Sequence, residues 1–112
     1  MKVVAADLTG DGVSELLVGF RASDEKQTLD VDIVSYTESG LPQVIAHPNP
    51  APLGSAVVSG GNLDQYYAQY PKDEPACCPP SYLRQTIAFE QGFFRVIASA
   101  DVAPNQVPAS QI

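Results

Sequence analysis

Proline and glycine set the strongest limit on how this chain can fold. Among its 112 residues there are ten prolines and eight glycines, and together they divide the sequence into short segments. Proline ends or kinks a helix and glycine weakens one, so this spacing argues against long helices. The chain is therefore expected to consist of short elements joined by turns.

The segments between these residues have the two-residue period of β-strands. In residues 29–36, Leu29, Val31 and Ile33 share one face and Asp30 lies on the other, which is typical of a half-buried strand. Further candidate strands are residues 3–6, 15–22, 41–46, 56–59, 63–70, 83–89 and 93–98. About eight short strands predict an all-β fold, an antiparallel meander that forms a small sandwich or an open barrel.

One segment also fits a helix. Residues 62–70 form either a short helix capped by Asn62, with three tyrosines at helical spacing, or another strand. The enrichment in aromatic residues favours the strand.

The length of the chain and its polar, proline-containing end indicate how it is organised. We expect one domain over residues 1–103 and a flexible C-terminal tail over residues 104–112. The proline-rich segment 47–52 cannot continue a ladder of strand hydrogen bonds, and a connection between strand layers explains it most simply.

The net charge reduces the classes of binding partner that can be expected for this chain. Six basic residues stand against 13 acidic ones, which gives a formal net charge of −7 at pH 7. Such a surface repels nucleic-acid phosphates, and no apolar run approaches the ~18 residues of a membrane span. The first residues lack a signal-peptide pattern, so an export signal would have to precede Met1.

The loop at residues 7–15 carries the clearest chemical pattern. The loop places oxygen-bearing side chains at positions 1, 3, 5 and 9 and a glycine at position 6, the spacing by which an EF-hand-like loop wraps a hard cation. The predicted Ca²⁺ ligands are the carboxylates of Asp7, Asp11 and Glu15, the hydroxyl of Thr9 and the backbone carbonyl of Val13.

Two interpretations of this loop stay open. Position 12, which supplies a bidentate Glu in helical EF-hands, is apolar Val18, so any Ca²⁺ affinity should be weak, about 10⁻⁴ to 10⁻³ M. Alternatively, the loop simply turns the chain, because Asp side chains can satisfy the local backbone without a metal.

Residues 3–20 resemble an FG-GAP repeat, in which an acidic, glycine-containing loop lies between two apolar strands. Thr9 and Glu15 are substitutions relative to that pattern. The resemblance implies Ca²⁺ binding through the loop. It does not imply a propeller, because a propeller needs several copies and this chain has only one.

A longer stretch is similar to the LppP/LprE group of bacterial cell-envelope lipoproteins. The order of motifs carries this resemblance: the acidic loop, the turn at residues 60–63, a tyrosine-led loop over residues 70–79 with two adjacent cysteines, and a final hairpin. The resemblance implies an exported domain that is secreted or anchored in the cell envelope.

Two further groups of residues are candidates for functional roles, one for a disulfide bond and one for binding a partner. Cys77 and Cys78 are adjacent, so they form either a strained vicinal disulfide or two thiols packed under a proline-rich loop. Tyrosines can provide a platform for a partner, although the core of a sheet without tryptophan is the simpler explanation. The candidate partner-binding tyrosines are Tyr66, Tyr67, Tyr70 and Tyr82.

These observations predict a non-catalytic, extracytoplasmic domain that binds or scaffolds, with one weak Ca²⁺ site and an envelope protein or a glycan as its partner. The first alternative is a metal-free interaction module that uses a tyrosine- and proline-rich face. The second is a small hydrolase that uses His47, the only histidine, although no signature of nucleophilic catalysis surrounds it.

Overall fold

Two four-stranded antiparallel sheets make up the computed structural model of this protein, which describes residues 1–23, 26–70 and 78–112. Within these residues the chain forms eight strands, in chain order within each sheet, so the prediction of an all-β meander is confirmed. The first sheet contains β1 (Lys2–Ala6), β2 (Glu15–Arg21), β3 (Leu29–Tyr36) and β4 (Pro42–Ala46). The second contains β5 (Ser55–Ser59), β6 (Asn62–Gln69), β7 (Ser81–Glu90) and β8 (Phe93–Val102), and a 3₁₀ turn (Pro104–Gln106) follows.

In two hairpins of the second sheet, the strands are joined by a tight turn whose residues have a left-handed backbone conformation. Gly60 and Gly61 have φ of 59° and 80° between β5 and β6, and Gln91 and Gly92 have φ of 53° and 87° between β7 and β8. Two successive residues with positive φ match the twist of antiparallel strands. The segment after the first turn is a strand over Asn62–Gln69, which confirms the strand prediction against the helix.

The inner faces of the two sheets share one core, so the fold is a small sandwich. Leu17, Val31 and Ile33 of the first sheet are fully buried in the same cluster as Ala56 and Leu63 of the second. The remaining buried members of this core are Leu8, Leu29, Ala51, Ile87 and Ile112.

The segment between β4 and β5 crosses from one sheet to the other, as the sequence predicts. Ala51 exchanges two backbone hydrogen bonds with Leu29 at the start of β3, at 2.8 and 2.9 Å. Arg21, at the end of β2, donates from Nη2 to the carbonyl of Gly54 at 2.9 Å. These contacts tie the crossing segment to the first sheet.

The last residues differ from the flexible tail that the sequence predicts. Ser55 donates to the carbonyl of Pro108 at 2.7 Å, and Gln111 donates its backbone N–H to the carbonyl of Ala56 at 2.9 Å. Ile112 is only 3% exposed and belongs to the core. The segment is held in place because it pairs with the free edge of β5 and fills a gap in the core.

The C-terminal segment covers the β5 edge of the sandwich, whereas the side formed by the edge strands β4 and β8 is not covered by another described segment. β4 and β8 are the last strands of their sheets, and a groove runs between the end of β4 and the strands β7 and β8. Exposed apolar residues lie along these strands, among them Val44, Phe93 and Val96.

Candidate metal centre

The loop between β1 and β2 brings three carboxylates together. One oxygen atom from each of Asp7, Asp11 and Glu15 lies within 4.8 Å of the other two. These are the three carboxylates that the sequence predicts as ligands. The trio could hold a metal ion, since hard cations prefer carboxylate oxygens.

The two aspartates also organise the backbone of the loop. Asp7 accepts the N–H of Gly10 with Oδ1 and the N–H of Gly12 with Oδ2, both at 2.9 Å. Asp11 Oδ1 accepts the N–H of Val13 at 2.8 Å. The turn is therefore held by side-chain acceptors, which is the geometry that the metal-free interpretation describes.

Glu15 is the buried member of the trio. Its side chain is 1% exposed, and Oε1 accepts the backbone N–H groups of Leu8 and Thr9 at 2.7 and 3.1 Å. The hydroxyl of Thr9 donates to Oε2 at 3.3 Å. No cationic side chain pairs with Glu15 in the described part of the chain. Its inward direction follows from the strand period, because Glu15 shares a face of β2 with buried Leu17.

The oxygen atoms of the loop retain capacity for a cation. A carboxylate oxygen has two lone pairs, and Asp11 Oδ2 accepts no hydrogen bond from the described residues. With the Thr9 hydroxyl, the predicted ligand set has four oxygen-bearing side chains, whereas Ca²⁺ takes about six to eight oxygens. A backbone carbonyl and water would have to complete the shell, and the role predicted for the carbonyl of Val13 stays a prediction.

His47 lies among carboxylates on the outer side of β3. Its Nδ1 donates to Asp32 Oδ1 at 2.5 Å, and its Nε2 lies 3.8 Å from Asp30 Oδ1. Among the described residues, no serine, threonine or cysteine side chain hydrogen-bonds to His47. The contacts place this histidine in a carboxylate cluster, and they include no nucleophile for it to activate.

The tyrosines predicted as a partner platform have different exposures. Tyr66 and Tyr82 are buried, at 8% and 9% exposure, in a second cluster with Ala68. Tyr67 is half-buried against the main core, and Tyr70 packs at the edge of the second cluster. The burial of Tyr66 and Tyr82 favours a structural role for these two residues.

The predicted vicinal disulfide falls partly outside the described residues. Cys77 lies outside them, whereas Cys78 lies within them and is not a free thiol. The vicinal bridge stays a prediction.

Comparison with known proteins adds no relative. No protein-family model, curated protein or solved structure matches the chain. Over the described residues, none of the helical segments has the length and apolar character that a membrane span requires.

Proposed function

We propose that this chain is a non-catalytic, extracytoplasmic binding or scaffolding domain that holds one weakly bound Ca²⁺ in its acidic loop. The convergence of Asp7, Asp11 and Glu15 within 4.8 Å is the observation that carries the proposal. An envelope protein or a glycan is the proposed partner, and the order of motifs shared with the LppP/LprE group supports this location.

The burial of Glu15 supports a cation at this loop. A carboxylate removed from water without a cationic partner is costly, and in the described part of the chain only three hydrogen bonds, from Leu8 and Thr9, compensate for that cost. A divalent cation beside Oε2 would supply the missing positive charge. Because Asp7 and Asp11 already accept backbone N–H groups, we expect affinity at the weak end, with a Kd of about 1 mM.

A role without catalysis is supported by the surroundings of His47. Its ring contacts Asp30 and Asp32, and general-base catalysis needs a base within reach of the group that it deprotonates. The alternative of a hydrolase would need a hydroxyl, a thiol or a water molecule as the nucleophile beside the His47 ring.

A metal-free interaction module is the second candidate. The hydrogen bonds from Gly10, Gly12 and Val13 to the aspartates hold the loop without an ion. In this case Asp7 and Asp11 act only as turn residues. The two candidates differ in whether Ca²⁺ stabilises the folded chain.

Thermal unfolding with and without calcium distinguishes the calcium-binding domain from the metal-free module. At a Kd of about 1 mM, about 10 mM CaCl₂ should stabilise the fold by about 1.4 kcal/mol, which is a Tm increase of about 6 °C for a domain of this size. Asp11→Asn keeps an acceptor for the N–H of Val13 and removes the charge, so it should abolish the increase. Glu38→Gln, in the turn before β4, is the matched control and should retain it.

The opposite results would overturn the calcium proposal. An equal Tm with CaCl₂ and with a chelator would favour the metal-free module. The same increase in Asp11→Asn would mean that calcium acts elsewhere.

A further inference from the structure

The groove on the open side of the sandwich has a volume of about 280 Å³. One wall is the end of β4 with residues 47–49, and the other contains Tyr67, Gln85, Ile87 and Phe94. Small-molecule sites typically span about 300–1,000 Å³. The groove lies just below that range and therefore suits only a small ligand.

Gln65 does not line the groove but neighbours a lining residue of each wall. It is fully buried, and its Nε2 donates to the carbonyl of Asn49 on the first wall at 3.2 Å. It stands directly across from Gln85 on the second wall, and Tyr67 follows two residues later on the same face of β6. The carboxamide of Gln65 therefore lies behind the lining of the groove, next to Asn49 and Gln85, which belong to it.

The other end of this carboxamide has no partner. Gln65 Oε1 is buried and accepts no hydrogen bond from the described part of the chain. Most buried polar atoms are hydrogen-bonded, and one left alone is destabilising. Gln65 Oε1 is therefore suited to accept a hydrogen bond from the N–H or O–H group of a bound molecule.

Two lining side chains add polar groups to the apolar walls. Neither the carboxamide of Gln85 nor the hydroxyl of Tyr67 hydrogen-bonds to another described residue. The hydroxyl of Tyr67 can donate at neutral pH, as that of any tyrosine can, and burial raises its pKa further, to about 12. A few polar groups in an otherwise apolar groove are typical of ligand sites.

The ionisable side chains of the lining, His47 and Arg95, already have carboxylate partners. His47 contacts Asp32 at 2.5 Å, and Arg95 Nε donates to Glu90 at 2.6 Å. A charged ligand would lose hydration without gaining a free counter-charge. The groove consequently favours a neutral molecule.

We propose that this groove binds a small neutral molecule with an apolar body and an N–H or O–H donor that reaches Gln65 Oε1. Because Gln65 is fully buried, a neighbouring side chain has to shift for this contact. Gln85 suits this role, since it is long, lies directly across from Gln65 and makes no competing side-chain hydrogen bond to the described residues. The site is separate from the acidic loop and does not depend on the calcium proposal.

Binding of benzamide to the isotope-labelled chain tests the site by NMR. Benzamide has an aromatic body and an N–H donor, whereas N,N-dimethylbenzamide lacks the donor and benzoate adds a charge. We expect saturable shifts at the backbone amides of Tyr67, Ile87 and Phe94 with up to about 10 mM benzamide. N,N-dimethylbenzamide should bind about fivefold more weakly, the value of one hydrogen bond, and benzoate should bind more weakly still.

The variant Gln65→Met tests whether Gln65 Oε1 is the atom that accepts the hydrogen bond from benzamide. Gln65→Met removes the carboxamide at similar volume and should abolish the preference for benzamide over its dimethyl analogue. Gln43→Met makes the same change on exposed β4, outside the groove lining, and should retain the preference. The comparison of the three probes on the unaltered chain needs no variant, so it stands even if Gln65→Met does not fold.

Three results would overturn the proposal. The first is the absence of saturable shifts at the groove with benzamide. The second is equal binding of benzamide and N,N-dimethylbenzamide to the unaltered chain. The third is an unchanged preference in Gln65→Met, which would mean that another group accepts the donor and that Gln65 Oε1 is satisfied by water alone.

Discussion

Glu15 is the residue on which the acidic loop depends. Its carboxylate accepts the backbone N–H groups of Leu8 and Thr9 and the hydroxyl of Thr9. It therefore fixes the start of the loop from the far end, across six and seven residues. The aspartates hold the middle of the loop in the same way, by accepting N–H groups.

Truncation of Glu15 should destabilise the fold strongly. Glu15→Ala leaves the buried N–H of Leu8 and the partly buried N–H of Thr9 without an acceptor, and each such loss costs about 1–3 kcal/mol. We expect a decrease of about 3 kcal/mol in the free energy of unfolding, measured by urea denaturation in the presence of a chelator. Glu15→Gln keeps Oε1 as the acceptor and can donate to Thr9 Oγ1, so it should lose only about 1 kcal/mol.

The chelator makes this comparison independent of calcium. If Glu15→Gln were as destabilising as Glu15→Ala without any cation, the hydrogen bonds to Leu8 and Thr9 could not be what this side chain contributes.

At the scale of the elements, the strands are the part of the fold that the sequence predicts well. Leu29, Val31 and Ile33 alternate with polar residues, and all three are buried in β3. The alternation works because a half-buried strand exposes every second residue to water. The turn at Gly60 and Gly61 was predictable for a related reason, since glycine adopts positive φ at no steric cost.

The elements that escaped prediction are held by distant contacts. Ile112 follows a polar, proline-containing segment with no period, and nothing local indicates that β5 offers a free edge and the core a gap. The burial of Gln65 is similar, because a polar residue on an inner face contradicts the pattern that strand prediction uses. At the site, spacing predicted the three carboxylates, whereas the hydrogen bonds that hold them depend on the folded loop.

The contact between the C-terminal segment and β2 should behave as a coupled pair. A Cβ added at Gly19 would lie 2.4 Å from Cγ2 of Ile112 and 3.0 Å from its backbone carbon. Gly19→Ala should therefore displace Ile112 from the core. Ile112→Ala alone should cost about 2 kcal/mol through lost burial.

A double-mutant cycle measures this coupling. Ile112→Ala removes Cγ2, so in the double variant the added methyl group of Gly19→Ala meets less of the terminal residue. We expect the loss in the free energy of unfolding to be smaller than the sum of the two single losses by about 1 kcal/mol. Additive losses would show that Gly19 and Ile112 do not contact each other in solution.

At the scale of the whole molecule, the main hydrophobic cluster draws on both sheets. The main cluster takes Leu17, Val31 and Ile33 from the first sheet and Ala56 and Leu63 from the second. Each sheet would expose this face to water if the other unfolded. The crossing segment at Ala51 and the end of the chain at Ile112 close the same cluster from outside the sheets.

The shared core predicts that the two sheets unfold together. Leu63→Ala removes a fully buried side chain of β6 and should lower the free energy of unfolding by about 3 kcal/mol. Because the first sheet depends on the same cluster, the urea midpoint should fall equally for NMR signals from β2 and β3 and for signals from β6 and β7. Val44→Ala, on exposed β4, is the control and should change stability by less than about 0.5 kcal/mol. A midpoint that falls only for the second sheet would mean that the halves of the sandwich are independent, and the shared cluster described for this protein would then have to be abandoned.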